Sequence, residues 1–111
     1  MKLEYNGVTL ECDVFDAETA DIFQEQTNKI LETSKAAAGM SELGKAIRLQ
    51  CKAIFEFIDA LFGEGTHRAL FGESVNLRTC TDVYAMINDA ILEDKDKLLA
   101  KGAQTAKKRK K

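Results

Sequence analysis

Residues 41–77 read SELGKAIRLQCKAIFEFIDALFGEGTHRALFGESVNL, and this stretch decides the fold. Leu43, Ile47, Cys51, Ile54, Phe55, Ile58, Leu61 and Phe62 recur at spacings of three and four. That spacing predicts one wide apolar face on a helix over 42–62. Ser41 is the expected N-cap, with Glu42 adding negative charge to the first turn. Gly63 stands where a left-handed residue would stop the helix. Phe57 falls at the flank of the face and is expected to be partly exposed. Leu-Phe-Gly-Glu occurs twice, at Leu61–Glu64 and Leu70–Glu73. Each copy reads as a last buried turn followed by a glycine stop, so Thr66 is expected to cap a short helix, His67–Phe71, ended by Gly72. Gly63-Glu64-Gly65 lacks the Gly-x-Gly-x-x-Gly pattern, a following Lys-Ser/Thr and a preceding strand, which removes a phosphate cradle.

Toward the N-terminus, Lys2–Val14 alternates around Asn6-Gly7. Asn-Gly supplies the two positive-φ positions of a type I′ turn, so a hairpin is predicted with Tyr5 opposite Val8 and Leu3 opposite Leu10. Leu3, Tyr5, Val8, Leu10, Cys12 and Val14 then share one face, which must lie on helices, because a lone two-stranded hairpin is marginal in water. The unpaired edges are either a short solvated ribbon or a docking edge for another strand. Asp16 is the expected cap of a helix from Ala17 to Ala38, ended by Gly39. Its stripe of Phe23, Thr27, Ile30, Leu31, Ser34 and Ala38 is thin. Such a helix buries little area and should pack loosely or at the edge, or leave a side for a partner to cover.

Toward the C-terminus, Asn76 is the expected cap of a helix from Leu77 to about Leu99. Leu77, Cys80, Val83, Tyr84, Ile87 and Ile91 form its apolar face. Glu93–Lys97 is a charged, solvated stretch, and Leu98 and Leu99 either reach a neighbour or fray. Gly102 is expected to end order, with Ala103–Lys111 disordered. The expected architecture is therefore mainly helical α+β. An N-terminal hairpin (1–15) packs on three main helices and one short one within a single domain, 1–100, followed by a disordered basic tail, 101–111.

With 111 residues and 45% hydrophobic content, the chain holds enough apolar material for one core. Cys12, Cys51 and Cys80 are odd in number and far apart, without a Cys-x-x-Cys pair, which points to free buried thiols in a reducing compartment. No apolar h-region opens the sequence and no apolar run reaches the length of a membrane span, so a cytoplasmic protein is expected. Net charge is −2, but residues 1–100 hold 10 basic against 18 acidic residues, while 101–111 hold six basic and no acidic ones. An acidic body does not suit nucleic-acid binding through the folded surface. The tail, with Lys107, Lys108, Arg109, Lys110 and Lys111, has three readings. It is a solubilising end, a nonspecific nucleic-acid contact, or a hold on an acidic protein surface that includes another copy's body.

Chemistry-bearing patterns are sparse. His67 is the sole histidine, without a Cys or carboxylate at ligand spacing, and reads as a surface residue. Glu56 and Asp59 read as a solvated helix face rather than an acid/base pair. No nucleophile sits in a recognisable motif. A binding protein without catalytic residues, cofactor or metal is expected.

Several segments taken together carry a resemblance: Phe15-Asp16-Ala17-Glu18-Thr19-Ala20 after the Asn-Gly hairpin, Ala46-Ile47-Arg48-Leu49-Gln50-Cys51, Leu61-Phe62-Gly63-Glu64-Gly65-Thr66, Leu70-Phe71-Gly72 and Asn76-Leu77-Arg78. Over residues 1 to about 92 the chain resembles small proteins encoded in the tail modules of phages and prophages of Gram-positive bacteria. The resemblance implies a tail assembly chaperone that coats the tape measure protein, recruits the major tail protein and is absent from the virion. It carries over no catalytic residue. Candidate contacts, all of which also fit a core, are Phe23, Ile30, Phe57, Phe62 and Phe71. A homo-oligomer is also compatible. Two other readings remain open: a small structural or connector protein of the tail, and a nucleic-acid-associated protein that uses the basic tail.

Overall fold

A computed structural model describes the backbone of residues 1–109 and the side chains of residues 1–102. Strands β1 (Lys2–Tyr5) and β2 (Val8–Glu11) form an antiparallel hairpin, followed by helices α1 (Ala17–Ala38), α2 (Leu43–Phe62), α3 (Thr66–Phe71) and α4 (Leu77–Arg109). The predicted register holds, with Leu3 opposite Leu10 and Tyr5 opposite Val8. Asn6 and Gly7 take φ of 49° and 75°, as a type I′ turn requires. The hairpin's apolar face lies on the helices: Leu10 is fully buried, and Leu3, Tyr5, Val8, Cys12 and Val14 pack against the core. Asn6 Nδ2 donates to the Leu70 carbonyl (3.3 Å), tying the turn to α3. The Met1 α-amino group donates to the Cys12 carbonyl (2.7 Å) and pairs with Asp94 of α4 (2.7 Å).

Helix ends follow local chemistry, with some shifts from expectation. Asp16 accepts from the Thr19 N–H (3.2 Å), and Asn76 from the Thr79 N–H (3.1 Å), both as predicted caps. For α2 the cap is Glu42 rather than Ser41. The Glu42 carbonyl accepts the first helical bond, from Ala46 (3.1 Å), and its carboxylate is drawn to Lys45 (3.0 Å) instead of the backbone. Thr66 is not the cap of α3 but its first residue. Gly65 caps it in the left-handed conformation, and the Thr66 hydroxyl donates to the Gly63 carbonyl (2.7 Å). Gly63 and Gly72 stop α2 and α3 at φ of 113° and 62°. Their ψ values of 149° and −129° lie outside the left-handed helical well, in a region glycine alone enters readily. Gly102 does not stop α4, which continues to Arg109. A glycine inside a helix costs only about 1 kcal/mol and no proline follows to forbid the next turn. Residues 101–109, expected as part of a disordered tail, thus have a helical backbone, while residues 110–111 and the side chains of Lys107, Lys108, Arg109, Lys110 and Lys111 lie outside the described residues.

α2 is the centre of the packing, in contact with α1, α3 and α4. Cys51, Ile54 and Ile58 of the predicted face are buried, together with Ile30 of α1, Leu70 of α3, and Cys80, Val83, Ile87 and Ile91 of α4. Three expectations change here. Phe57 is fully buried, because α1 and α4 close over opposite flanks of α2, and its ring meets Phe23 (centroids 6.0 Å apart) and Tyr84 (5.1 Å) edge to face. Likewise α1 is not loosely packed: its contact with α2 is the most extensive between helices. Small residues make this possible. Ala37 of α1 and Ala46 and Ala53 of α2 are buried, so a thin stripe packs by fit rather than by bulk. Leu43, at the start of the predicted face, is instead 75% exposed.

Candidate binding surface

The 33 residues of α4 span about 50 Å, and the molecule measures 62 × 33 × 21 Å, so α4 outruns the body it packs on. Its buried positions end at Ile91; from Leu92 to Gly102 no residue is buried. Along this overhang an apolar groove of about 310 Å³ opens between α4 and the entry into α1. Phe15, Ala20 and Phe23 form one wall, and Leu92, Leu98 and Leu99 the other, with Gln24 and Lys95 as the polar lining. Phe15 is 50% exposed, Leu92 42%, Leu98 45% and Leu99 61%. Single exposed leucines are ordinary, but four large apolar groups around one concavity make a candidate interaction surface. Beside it the exposed Asp16, Glu18, Asp21 and Glu25 give α1 an acidic outer face.

A second feature lies at the α2–α3 corner. Asp59 accepts from the His67 backbone N–H (2.9 Å) through one carboxylate oxygen and meets His67 Nδ1 (2.7 Å) through the other. Facing a carboxylate, which only accepts, Nδ1–H is the donor in this contact. Phe55 stacks on the imidazole with centroids 4.5 Å apart, and Phe71 leans on Phe55 at 5.6 Å. An oriented Asp–His pair is two-thirds of a nucleophile-activating triad. The nearest hydroxyl in sequence, on Thr66, is instead committed to the Gly63 carbonyl. Both bonds tie the first turn of α3 to the last turn of α2, a clasp at the corner. Among the described residues, no cluster of three or more His, Cys, Asp or Glu could hold a metal ion.

The thiols are all free, with Cys51 and Cys80 buried side by side between α2 and α4. Burial, then the neighbouring Cys51 thiol, pushes Cys80 up to about 12, against a smaller lowering from the Asn76 backbone. Cys12 is half-buried, and its thiol is raised by burial, partly offset by the Met1 ammonium. Neither environment makes a reactive thiolate.

Of the residues singled out as contacts, Phe57 and Ile30 lie in the core, while Phe23, Phe62 and Phe71 are half-buried against it. Only Phe23 reaches the groove. Phe15 and the Asp59–His67 clasp escaped the sequence reading. Phe15 lies in a turn that no periodicity covers. The clasp joins residues eight apart across a chain reversal, where helical spacing does not apply. Among the described residues no helix is long and apolar enough to cross a membrane. A family model described as a family of unknown function, DUF6673, matches residues 6–111. No curated protein and no solved structure matches the chain.

Proposed function

The chain belongs to the DUF6673 family, and we propose that it is a non-enzymatic binding protein of the phage tail assembly chaperone kind. In this reading it works in the cytoplasm of the bacterial host. There it shields apolar helical stretches of a tape measure protein and helps bring the major tail protein to them. The observation that carries the reading is the groove between α1 and the overhang of α4, lined by Phe15, Phe23, Leu92, Leu98 and Leu99. A concavity of this kind suits the apolar face of a helix, which would seat side chains one turn apart along it. The acidic exterior favours solubility of the resulting complex. The kind of partner comes from the resemblance carried by residues 15–20, 46–51, 61–66, 70–72 and 76–78.

Co-expression with the tape measure protein of the same tail module tests it. Expected are co-purification, marked loss of capture by Leu98→Glu with Leu99→Glu, and absence of the chain from purified virions. Presence in virions would instead make it a structural or connector protein. Salt-dependent DNA binding that disappears on removal of residues 107–111 would favour the nucleic-acid reading.

A further inference from the structure

From Leu92 to Gly102 the overhang of α4 has no buried residue. A helical extension of that length, without packing, is marginal in water. Its apolar residues nevertheless fall in pairs seven apart, Ile91 with Leu98 and Leu92 with Leu99, so they make one seam along the helix. A seven-residue seam fits a second helix. Charge indicates which helix. Lys95 lines the groove itself, but the body around it holds 10 basic and 18 acidic residues, with the exposed Asp16 at the α1 cap and Glu18, Asp21 and Glu25 (the last paired with Lys29, 3.6 Å) along α1. A helix suited to it is apolar on one side and continues into cations. The chain carries that combination itself: Leu92, Leu98 and Leu99, then Lys107–Lys111 with no acid after residue 100.

We propose that the groove holds the distal half of α4 from a second copy, laid antiparallel. Leu98 and Leu99 of each chain fill the other's groove against Phe15 and Phe23, and residues 107–111 of each approach the acidic face of the other's α1. Two-fold pairing requires a surface that complements itself, and a chain with an acidic body and a basic end meets this only head to tail. A parallel pair would set tail on tail and body on body, with like charges facing. The seam is short, so the contact is smaller than the roughly 800 Å² per partner of a standard interface, and the dimer is concentration-dependent. The inference rests on the groove being a docking surface, and on no particular phage partner.

Sedimentation of the purified full chain tests it. A monomer–dimer equilibrium is expected, with association weakening as salt rises from about 50 to about 500 mM. Leu98→Glu with Leu99→Glu should lower the association constant at least about tenfold, with unchanged circular dichroism. Lys107→Glu with Lys108→Glu should weaken the dimer, and adding Asp21→Lys with Glu25→Lys should restore it. A chain that stays monomeric at several hundred micromolar in low salt, a dimer indifferent to the leucine substitutions, or charge reversals without rescue would each overturn the proposal. Because only the purified chain is used, a monomer leaves capture of the tape measure protein to be decided by co-purification.

Discussion

The two halves of α4 are built from the same kinds of residue and end in opposite circumstances. From Leu77 to Ile91 the helix buries Cys80, Val83, Ile87 and Ile91, largely against α2 and its neighbours. From Leu92 to Gly102 it carries Leu92, Leu98 and Leu99 and buries nothing. Helical periodicity is present in both halves. What differs is the surface opposite: α2 ends at the α2–α3 corner, and beyond it the overhang meets the Met1 ammonium at Asp94 and faces the entry into α1 across an open groove. An apolar spacing in a sequence thus says that a face wants cover, and the length of its neighbours decides whether the chain supplies it. The core side of this contrast is the easiest to break. Phe57→Ala removes the ring that α1 and α4 close on, so a loss of about 3–5 kcal/mol is expected in urea unfolding. Ile87→Ala, on the proximal half of α4, should lose about 2–5 kcal/mol. Against a total of roughly 5–15 kcal/mol, either is a large fraction.

The clasp at the α2–α3 corner gives the next smaller effect. Asp59 satisfies two donors of His67, one from the backbone and one from the ring. Asp59→Ala should cost about 1–2 kcal/mol, less than a core deletion, because both side chains remain about one-quarter exposed and water replaces part of what is lost. Pairing Asp59→Ala with His67→Ala in a double-mutant cycle should give a coupling of about 0.5–1.5 kcal/mol. Additive losses would show that the two residues do not act as a unit.

How much of this was legible in advance depended on the range of the interaction. The hairpin register followed from Asn6-Gly7 and strict alternation, both local, and the caps Asp16 and Asn76 from side chains reaching three residues on. The burial of Phe57 is not legible in this way, because one helix's spacing does not reveal that a second helix covers its flank. The packing of α1 was underestimated for a related reason: Ala37, Ala46 and Ala53 contribute little area but let two helices fit. The groove combines a turn residue, Phe15, with leucines some eighty residues later, a pairing no window along the chain contains. Of Phe23, Ile30, Phe57, Phe62 and Phe71, only Phe23 reaches it.

The buried thiols supply a pH dependence on the covered side of the comparison. Cys80 in the folded chain is pushed up to about 12 from an ordinary value of 9.0. The folded state therefore holds this proton above pH 9, where the unfolded chain releases it. Stability should fall as pH rises from about 9 toward 12 and be unaffected by this group below that window. Comparing the slope of urea midpoint against pH in Cys80→Ala isolates the contribution from lysine and tyrosine titration. An equal slope in both proteins would show that Cys80 does not supply it. At neutral pH the same burial should make Cys12, half-exposed, the first thiol to react with a disulfide reagent, ahead of Cys51 and Cys80.

The smallest effect is expected on the uncovered side. Leu99→Ala removes as much side chain as a core leucine deletion would. However, Leu99 is 61% exposed and lies beyond the last buried position of α4. In dilute solution, where the chain is alone, the substitution should therefore move the urea midpoint by no more than about 0.5 kcal/mol equivalent, as for surface positions generally. Raised protein concentration sharpens the contrast with Ile87. If a second copy covers the overhang, wild-type stability should climb with concentration, by the mass-action gain of binding only the folded form, and Leu99→Ala should climb less. The cost of Leu99→Ala would then grow with concentration while that of Ile87→Ala stayed level. A Leu99→Ala loss of several kcal/mol at the lowest concentration would instead mean that the overhang is already covered by its own chain, and the distinction between the two halves of α4 would fail.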